Sequence, residues 1–525
     1  MDAALTGRVG ASTVVYVKDA DSMIVSAAET DPTQTAAKSA AGDSRSPQSV
    51  PGVLDLTHRF YDELPELCLR WSADTAPDPR VVVINSQLAA SLGLDPAALA
   101  RPEGLGVLAG GAEPQNSIPV ALGYAGHQFG NYSPRLGDGR ALLLGELALD
   151  RGSIVDVHMK GSGRTPFARG GDGKATIGPM LREYLISEAM SALGVPTTRS
   201  LAVVATGESV YRDGLEPGAV LTRVAASHIR VGTFEYAIRL GGPELVRRLA
   251  DHAIARHYPE LQAHDDSYRA FLESVVDTQA YLIAKWMSIG FIHGVMNTDN
   301  MAISGEGIDY GPCAFMDAYD PSTVFSSIDH GGRYAFGNQV RVGAWNLARL
   351  AETLLERLDN DSGKAVAIAT EIVNGFAIRF REHWLAEMSI KLGLGTHTGL
   401  PVDVGEQADS GGSTTIHDDL VTLMHDEHLD WTATFRGLSS WLRSVTGDGP
   451  AYAIARQVEV LGRPNSALTE WASRLGRDAE RCRERLPDDR GSDGQGEPHL
   501  HSAQIIWSNM PSTWRHTAIC HRLKN

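Results

Sequence analysis

The sequence has few cysteines, no long apolar run and fewer basic than acidic residues. None of its four cysteines lies in a CxxC pair, so a cysteine-built zinc site and a disulfide framework are excluded as the basis of the fold, while a single bridge stays open. Every apolar run is shorter than the roughly 18 residues that cross a membrane, and the N-terminus lacks the pattern of a secretion signal. We therefore expect a globular cytoplasmic protein without a membrane partner. The cysteines are Cys68, Cys313, Cys482 and Cys520.

The formal charge of -17 at pH 7 argues against a nucleic acid partner, because duplex binding requires a broad basic surface. The sign reverses locally, since the stretch from Arg135 to Arg182 has eight lysines or arginines against five acidic residues. A small anionic ligand needs such a local reversal. We therefore look for an anion site in or near this stretch.

The segment from Phe291 to Pro312 reads FIHGVMNTDNMAISGEGIDYGP and carries three side chains with oxygen ligands, Asp299, Asn300 and Asp309. An Asn and an Asp on the two arms of a hairpin can bind one hard cation. Mg²⁺ prefers oxygen ligands and keeps positions open for nucleotide phosphates, and Mn²⁺ is an alternative. The segment therefore predicts a metal site that includes Asn300 and Asp309.

This segment resembles the catalytic loop of protein kinases, with one departure. His293 precedes Asn300 by the kinase spacing, and Asp309-Tyr310-Gly311 stands where kinases have Asp-Phe-Gly. Val295 replaces the catalytic Asp, and a valine cannot accept a proton. Asp299 is the only carboxylate close enough in sequence to replace that base, and its alternatives are a turn cap or a second metal ligand.

A strand and a helix precede the hairpin. Ile154 to Lys160 alternates apolar and polar residues, as a strand does, and Thr176 to Leu193 has apolar residues at helical spacing. Lys160 on the strand and Glu183 on the helix match the lysine-glutamate pair that kinases use to contact phosphates. The alternative is a surface salt bridge, which contributes only ~0-1 kcal/mol.

Two glycine turns could approach a phosphate closely, because glycine leaves the backbone N-H groups accessible. The first is Gly137 to Arg140, and a hairpin turn is its structural alternative. The second contains Asp172 and Gly173, and it fits a flexible linker equally well.

Two arginines, Arg223 and Arg230, bracket Ala225-Ala226-Ser227-His228 at the end of an apolar strand. Paired arginines can hold a polyphosphate bidentately and stabilise the charge of a leaving pyrophosphate. The alternative is a solvated face, which the apolar neighbours Val220, Leu221 and Val224 argue against.

Taken together, these motifs closely resemble the selenoprotein O family, also called the YdiU family, of kinase-fold protein adenylyltransferases. The resemblance spans about Tyr124 to Gly337. The chain departs from the family after about Pro487, where Cys520 stands alone and a terminal redox pair is not recognisable. The segments that carry the resemblance are YAGHQFG, LGDGRALLLGE, KGSGRTPFARGGDGKA, LREYLISEAM, LTRVAASHIRVGTFEY, HGVMNTDNM and IDYGP.

The resemblance implies transfer of AMP from ATP to Ser, Thr or Tyr hydroxyls of proteins, with ATP inverted relative to its orientation in kinases and pyrophosphate released. It implies Asp299 as the base, with Asn300 and Asp309 as Mg²⁺ ligands. It also implies a set of residues that line the nucleotide site. They are Gly137, Gly139, Arg140, Lys160 paired with Glu183, Asp172, Gly173, Arg223, Arg230 and Asp309.

The implied fold class is α+β, a bilobal protein-kinase-like fold with a mainly β N-lobe, a helical C-lobe and additional C-terminal helices. We expect a disordered leader over 1-52, the N-lobe with the nucleotide-binding strands and helix over 53-240, the helical C-lobe with the catalytic and metal-binding loop over 241-485, and a divergent tail over 486-525. We also expect a loop from Leu105 to Pro119 and one helix from Ala365 to Leu392. Nothing in the sequence requires more than a monomer.

Two other functions fit the same residues. One is a divergent kinase, which would transfer the γ-phosphate of ATP. The other is a catalytically silent nucleotide-binding scaffold, which Val295 permits. The targets cannot be read from the sequence, because no docking motif is recognisable.

Overall fold

The computed structural model describes residues 49-149, 152-392, 394, 415-444, 470, 471, 474 and 475. Most of the expected leader, the tail and two cysteines, Cys482 and Cys520, lie outside these residues. Both cysteines that the structure describes, Cys68 and Cys313, are free thiols. Within the described chain, no helix combines the length and the apolar character that a bilayer crossing needs.

The described strands form one seven-stranded sheet and three two-stranded sheets. The strands are β1 (Ser49–Asp55), β2 (Cys68–Arg70), β3 (Arg80–Ile84), β4 (Glu113–Gln115), β5 (Val120–Leu122), β6 (Gly126–Gln128), β7 (Asn131–Ser133), β8 (Ala141–Ala148), β9 (Ile154–Lys160), β10 (Arg199–Tyr211), β11 (Leu215–Ala225), β12 (Phe291–Ile292) and β13 (Ala314–Phe315).

Five of the described α-helices lie between strands of the mainly β region along the chain, and seven follow it. They are α1 (Arg59–Glu63), α2 (Ser86–Ser91), α3 (Pro96–Ala100), α4 (Pro102–Leu108), α5 (Ile177–Ala192), α6 (Val231–His257), α7 (Ser267–Ser288), α8 (Gln339–Leu358), α9 (Ser362–Asn374), α10 (Phe376–Lys391), α11 (Ile416–Asp426) and α12 (Trp431–Ser444). The structure is thus a mixed α/β fold with a mainly β region followed by helices.

The seven-stranded sheet is antiparallel, in the order β2-β5-β8-β9-β11-β10-β3. Val157 and Met159 of β9 pack in an apolar cluster with residues of α2, α3 and α4. The opposite face carries His158 and Lys160, and the register places Arg223 of β11 directly beside His158. Because α5 packs against β10 and β11, this polar face is buried and does not face solvent.

A long helix, α7, forms the centre of the helical region. Phe271, Val275 and Ile283 are fully buried at the spacing of one helix face. The helix packs against α8 and α10. Its end leads into β12, and so it fixes where the hairpin segment of 291-312 begins.

The segment that enters α6 joins the sheet region to the hairpin. Val231 N donates to Met301 O at 2.9 Å, and Ile303 N donates to Ile229 O at 3.0 Å. The helix is kinked at Gly242, which has a φ of 63° and is followed by Pro243. A left-handed φ is inexpensive only for glycine, so Gly242 permits the change of direction.

Several predicted boundaries were wrong. The loop expected from Leu105 to Pro119 contains the end of α4 and all of β4. A Cβ at Gly104 would overlap the backbone of Ala98 and Leu99, so a glycine in this region serves the packing of α4 on α3. The helix expected from Ala365 to Leu392 is broken at Gly375 into α9 and α10. β1 begins at Ser49 and so includes the last residues of the expected leader.

Candidate active site

The structure brings five charged side chains together where the polar face of the sheet meets the hairpin. Asp309 Oδ1 accepts from Lys160 Nζ at 2.5 Å and from Arg223 Nη1 at 2.7 Å. Its Oδ2 lies 3.4 Å from Arg230 Nη1. We call Lys160, Glu183, Arg223, Arg230 and Asp309 the Asp309 cluster. Burial acts to raise the pKa of Asp309, but the three cations outweigh it and hold that pKa well below its usual range.

The predicted pair of Lys160 and Glu183 is present and buried. Lys160 Nζ donates to Glu183 Oε2 at 2.6 Å, and Arg223 Nη1 donates to Oε1 of the same carboxylate at 2.8 Å. The side chains of Lys160 and Glu183 are 10% and 4% exposed, so the pair is not a surface salt bridge. Glu183 orients both a lysine and an arginine towards Asp309.

Arg230 is almost fully buried and still has unused donors. Its Nη1 donates to the backbone oxygen of Asp299 at 2.8 Å, and its guanidinium lies 4.3 Å from the centre of the Tyr124 ring. Nε and Nη2 are buried without a hydrogen-bond partner among the described residues. Buried donors of a charged group are normally satisfied, so these two atoms fit an anionic ligand.

Asp299 lies in a short 3-10 turn, Thr298–Asn300, and is 7% exposed. Gln128 Nε2 donates to its Oδ2 at 3.3 Å, while Oδ1 is buried with no hydrogen-bond partner in the described part of the chain. Burial raises the pKa of Asp299 to about 6, against the opposing charge of Arg230. A buried carboxylate oxygen without a donor can accept a proton from a hydroxyl that reaches it.

The hairpin of β6 and β7 holds the Asp299 turn in place through hydrogen bonds. His127 N donates to Thr298 Oγ1 at 2.7 Å, and Phe129 N donates to Asn297 Oδ1 at 3.2 Å. A Cβ at Gly126 would lie 2.5 Å from Asp299 Oδ1, so a larger residue there would displace that carboxylate. Sequence reasoning missed Gly126 and Gln128, although both lie within the quoted motif YAGHQFG.

Asn300 and Asp309 offer the oxygen ligands of the predicted metal site. Asn300 Nδ2 donates to Val295 O at 3.1 Å, which orients the amide and leaves its oxygen for a ligand. Asp309 has a φ of 62°, a conformation that Asp tolerates better than most residues. The described residues contain no group of three or more His, Cys, Asp or Glu that could hold a metal. An amide and one carboxylate fit Mg²⁺, which takes its other ligands from phosphates and water.

His293 ties the two arms of the hairpin segment together. Its Nε2 lies 2.9 Å from Ile308 O, and its Nδ1 accepts from Val295 N at 3.4 Å. The ring is fully buried, and burial lowers its pKa. His293 is therefore a packed loop histidine.

The glycines of the two turns allow both turns to pack closely against the segment from Gly163 to Ala168. Gly137 has a φ of 72°, and a Cβ there would overlap the Phe167 ring; a Cβ at Gly139 would lie 3.0 Å from the Ala168 Cα. A Cβ at Gly173 would overlap the backbone of Gly163 and Arg164. These glycines are thus required for close backbone approach.

Two predicted residues lie at the surface of this region. Arg140 is exposed at the end of its turn. Asp172 accepts from Arg212 Nη1 and Nη2 at 2.9 Å and 3.0 Å, and its side chain is 48% exposed. The ion pair of Asp172 is therefore made with the β10-β11 hairpin and not with the Asp309 cluster.

Residues 52–490 match the family model described as "Protein adenylyltransferase SelO". The chain is 58% identical over 396 residues to the protein nucleotidyltransferase YdiU of Rhodococcus jostii (strain RHA1), covering 74% of each chain. It is 52% identical over 440 residues to the YdiU of Mycobacterium sp. (strain KMS), covering 80% of this chain and 89% of that relative. The YdiU of Cereibacter sphaeroides (strain ATCC 17023) is 52% identical over 438 residues, 82% of this chain and 87% of that relative. This chain belongs to the protein adenylyltransferase SelO family.

Proposed function

We propose that this protein transfers AMP from ATP to Ser, Thr or Tyr hydroxyls of other proteins and releases pyrophosphate. The observation that carries the proposal is the pairing of two unsatisfied groups at one place. Among the described residues, Asp299 Oδ1 has no hydrogen-bond donor, and Nε and Nη2 of Arg230, which holds the backbone oxygen of Asp299, have no hydrogen-bond acceptor. Nη2 lies 3.8 Å from Asp138 Oδ1, which is beyond hydrogen-bond distance. A hydroxyl for the first and a phosphate for the second would satisfy both.

The transfer uses these groups as follows. Oδ1 of Asp299 accepts the proton of the acceptor hydroxyl, and the hydroxyl oxygen forms a bond to the α-phosphorus of ATP. The bond from that phosphorus to the bridging oxygen breaks, and its electron pair leaves with pyrophosphate. Lys160, Arg223 and Arg230 stabilise the negative charge that grows on the leaving group. ATP phosphates compete with Asp309 for these three cations.

Asn300 and Asp309 would hold Mg²⁺, with Mn²⁺ as an alternative. The ion, when bound, supplies positive charge that neutralises the phosphates. The inverted orientation of ATP, with its α-phosphorus towards Asp299, is part of the proposal and follows from the resemblance to the family. The contacts of Gly137, Gly139, Arg140, Asp172 and Gly173 with the nucleotide also remain proposals.

We also propose that the sheet region and the helices form the two lobes of a protein-kinase-like fold, with additional helices at the C-terminal end. The N-lobe is 53-240, and the C-lobe is 241-485. The kink of α6 at Gly242 supports a boundary near residue 240. Residues 49-52 of the expected leader belong to β1. The rest of the leader over 1-52, a divergent tail over 486-525, a cytoplasmic location, a monomeric state and the absence of a nucleic-acid partner stay predictions.

The proposal is tested by incubating the protein and a mixture of candidate protein acceptors with ATP labelled at the α- or the γ-phosphate, in parallel. Adenylylation transfers only the α label. Transfer of only the γ label would establish a kinase, and transfer of neither would leave a nucleotide-binding scaffold. Asp309→Ala is expected to abolish α-label transfer, whereas Arg80→Gln, which alters an exposed ion pair with Asp78, should preserve it.

A further inference from the structure

A second set of buried polar groups lies behind the two arginines. Asp138, between Gly137 and Gly139, is 2% exposed although the turn itself is near the surface. Its Oδ2 lies 3.0 Å from His158 Nε2 and accepts from Leu122 N at 3.2 Å. Its Oδ1 accepts from the Tyr124 hydroxyl at 3.2 Å. The side chain of the glycine turn therefore points into the protein, towards the polar face of the sheet.

The partners of His158 determine its tautomer. Arg223 Nε lies 3.2 Å from His158 Nδ1, and an arginine can only donate. Nδ1 is therefore the acceptor, and the ring proton is on Nε2, where it donates to Asp138. Burial lowers the pKa of His158 against the opposing charge of Asp138, so the ring is neutral at neutral pH.

The neutral His158 ring provides the third acceptor that orients Arg223. Nε donates to His158, and Nη1 donates to Glu183 and Asp309. Because the guanidinium is planar, these contacts at two nitrogens fix its orientation. Among the described residues, Nη2 has no hydrogen-bond acceptor, so it is the donor left for a ligand.

Asp138 reaches the other arginine as well. Its Oδ1 lies 3.8 Å from Arg230 Nη2. The Tyr124 ring, whose hydroxyl donates to Oδ1, lies 4.3 Å from the Arg230 guanidinium. One buried carboxylate thus contributes to the position of both arginines, directly for one and through His158 for the other.

We propose that Asp138 and His158 are positioning residues that hold Arg223 and Arg230 for the polyphosphate of ATP. This rests on the proposed function for the identity of the ligand. The buried Asp138 links the glycine turn to the arginines, so the turn and the Asp309 cluster act as one phosphate-binding unit. Neither residue needs to touch ATP for this role.

The chain offers a matched control in a second His-Asp couple beside the first. His228 Nδ1 lies 3.0 Å from Asp156 Oδ2, and its ring stacks on His158 with centres 4.2 Å apart. Both histidines are fully buried. Asp156, however, is held by Arg256 at 2.6 Å and not by Arg223 or Arg230. A change at His228 removes a similar contact without removing the acceptor of Arg223.

The test is a double-mutant cycle on the affinity for ATP with Mg²⁺, measured by calorimetry on the full chain. His158→Leu removes the acceptor and is expected to weaken binding about tenfold, as the loss of one hydrogen bond to a charged group does. Arg223→Lys removes the Nε donor, so adding His158→Leu to it should cost less than about twofold more. His228→Leu should stay within about threefold of the unmodified protein. The inference would be overturned if the double variant lost affinity by the product of the two single losses. It would also be overturned if His228→Leu weakened ATP binding as much as His158→Leu does.

Two further variants keep the inference testable should His158→Leu fail to fold. An Asn at position 158 places its side-chain oxygen where Nδ1 of the histidine lies, so it keeps the acceptor for Arg223. A Gln at the same position reaches the place of Nε2 and keeps only the contact with Asp138. His158→Asn should therefore bind ATP more tightly than His158→Gln, and the reverse order would contradict the role. If the unmodified protein binds ATP but transfers no AMP, the proposed function fails while the cycle still decides the positioning role.

Discussion

The helical core around α7 and the polar face of the sheet are both buried, but they are built from opposite chemistry. Phe271, Val275 and Ile283 in the helical core are apolar and need no partners. The polar face buries Lys160 and Arg223 together with their carboxylates. Desolvating such charges costs free energy that their pairing only partly recovers, whereas apolar burial is favourable without further conditions.

The difference shows which region is constrained by stability and which by function. An apolar cluster of the same volume would be at least as stable as a buried ion cluster. Within the described residues, two donors of Arg230 in the Asp309 cluster have no hydrogen-bond partner, and neither has one oxygen of the neighbouring Asp299. A region that buries charge and leaves it incompletely paired is suited to binding a charged ligand. Substitutions in each region test this contrast.

Asp299→Asn should separate activity from stability most strongly. The variant keeps the shape of the side chain but cannot accept the proton, so AMP transfer should fall by roughly 10²- to 10⁴-fold. Because burial raises the pKa of Asp299, the charged form destabilises the fold at neutral pH, and the variant should unfold at the same or a higher temperature. Rate assays and thermal unfolding measure the two effects. A clearly lower unfolding temperature would mean that Asp299 is a structural residue.

Phe271→Ala should lower stability and leave ATP binding almost unchanged, in contrast to Asp299→Asn. The side chain is fully buried in the helical core, so its loss should lower the free energy of unfolding by about 3-5 kcal/mol. Affinity for ATP, measured on the folded fraction at low temperature, should change little. Chemical denaturation and calorimetry supply the two measurements. A large loss of ATP affinity in the folded protein would break the separation of the two regions.

Gly126→Ala should impair the base without touching the phosphate-binding arginines. The added Cβ would lie 2.5 Å from Asp299 Oδ1 and would displace the carboxylate. A misplacement of about 1 Å can cost roughly 10²-fold in rate, so kcat should fall while ATP affinity is kept. Gly178→Ala is the control, because nothing lies within 4 Å of a Cβ there. Equal rates for both alanine variants would remove the steric argument.

His228 should make stability depend on pH. Burial, with the nearby His158, lowers its pKa to about 3 in the folded state, while an unfolded histidine has a pKa of about 6.5. The unfolded state therefore binds the proton first as the pH falls, and stability that is complete above pH 6.5 is lost below it. Between pH 6.5 and 5.5 the loss from this residue is about 1 kcal/mol. His228→Asn should reduce the measured pH dependence of unfolding by that amount, and an unchanged dependence would contradict a neutral buried ring.

Arg212→Gln should have the smallest effect. Its ion pair with Asp172 is exposed, and such pairs contribute ~0-1 kcal/mol. Denaturation midpoints of the variant and the unmodified protein should nearly coincide. A loss as large as that of Phe271→Ala would show that an exposed ion pair, too, can determine stability here.

The sequence predicts those parts of the site that depend on local pattern or on a shared motif. The bounds of β9 and the pairing of Lys160 with Glu183 follow from alternation and from the kinase-like order of strand and helix. The alternation also distinguishes the two faces of β9. It could not show that the polar face is buried, because that depends on α5 packing across β10 and β11.

Contacts between distant residues could not be predicted from the pattern. Gln128 and Asp299 are 171 positions apart, and Asp138 reaches His158 only because the glycine turn directs its side chain inward. The loop predicted from Leu105 to Pro119 shows the converse error, since it contains the end of α4, and Gly104 of that helix is needed for its packing on α3. The break between α9 and α10 was missed because the apolar spacing continues across Gly375.

A crystal structure of the protein with magnesium and a non-hydrolysable ATP analogue would show whether the buried charged side chains bind the nucleotide in the proposed orientation. We expect the phosphates to contact Lys160, Arg223 and Arg230, the ion to lie between Asn300 and Asp309, and the α-phosphorus to face Oδ1 of Asp299. A γ-phosphate facing Asp299, or a nucleotide bound away from these side chains, would contradict the account.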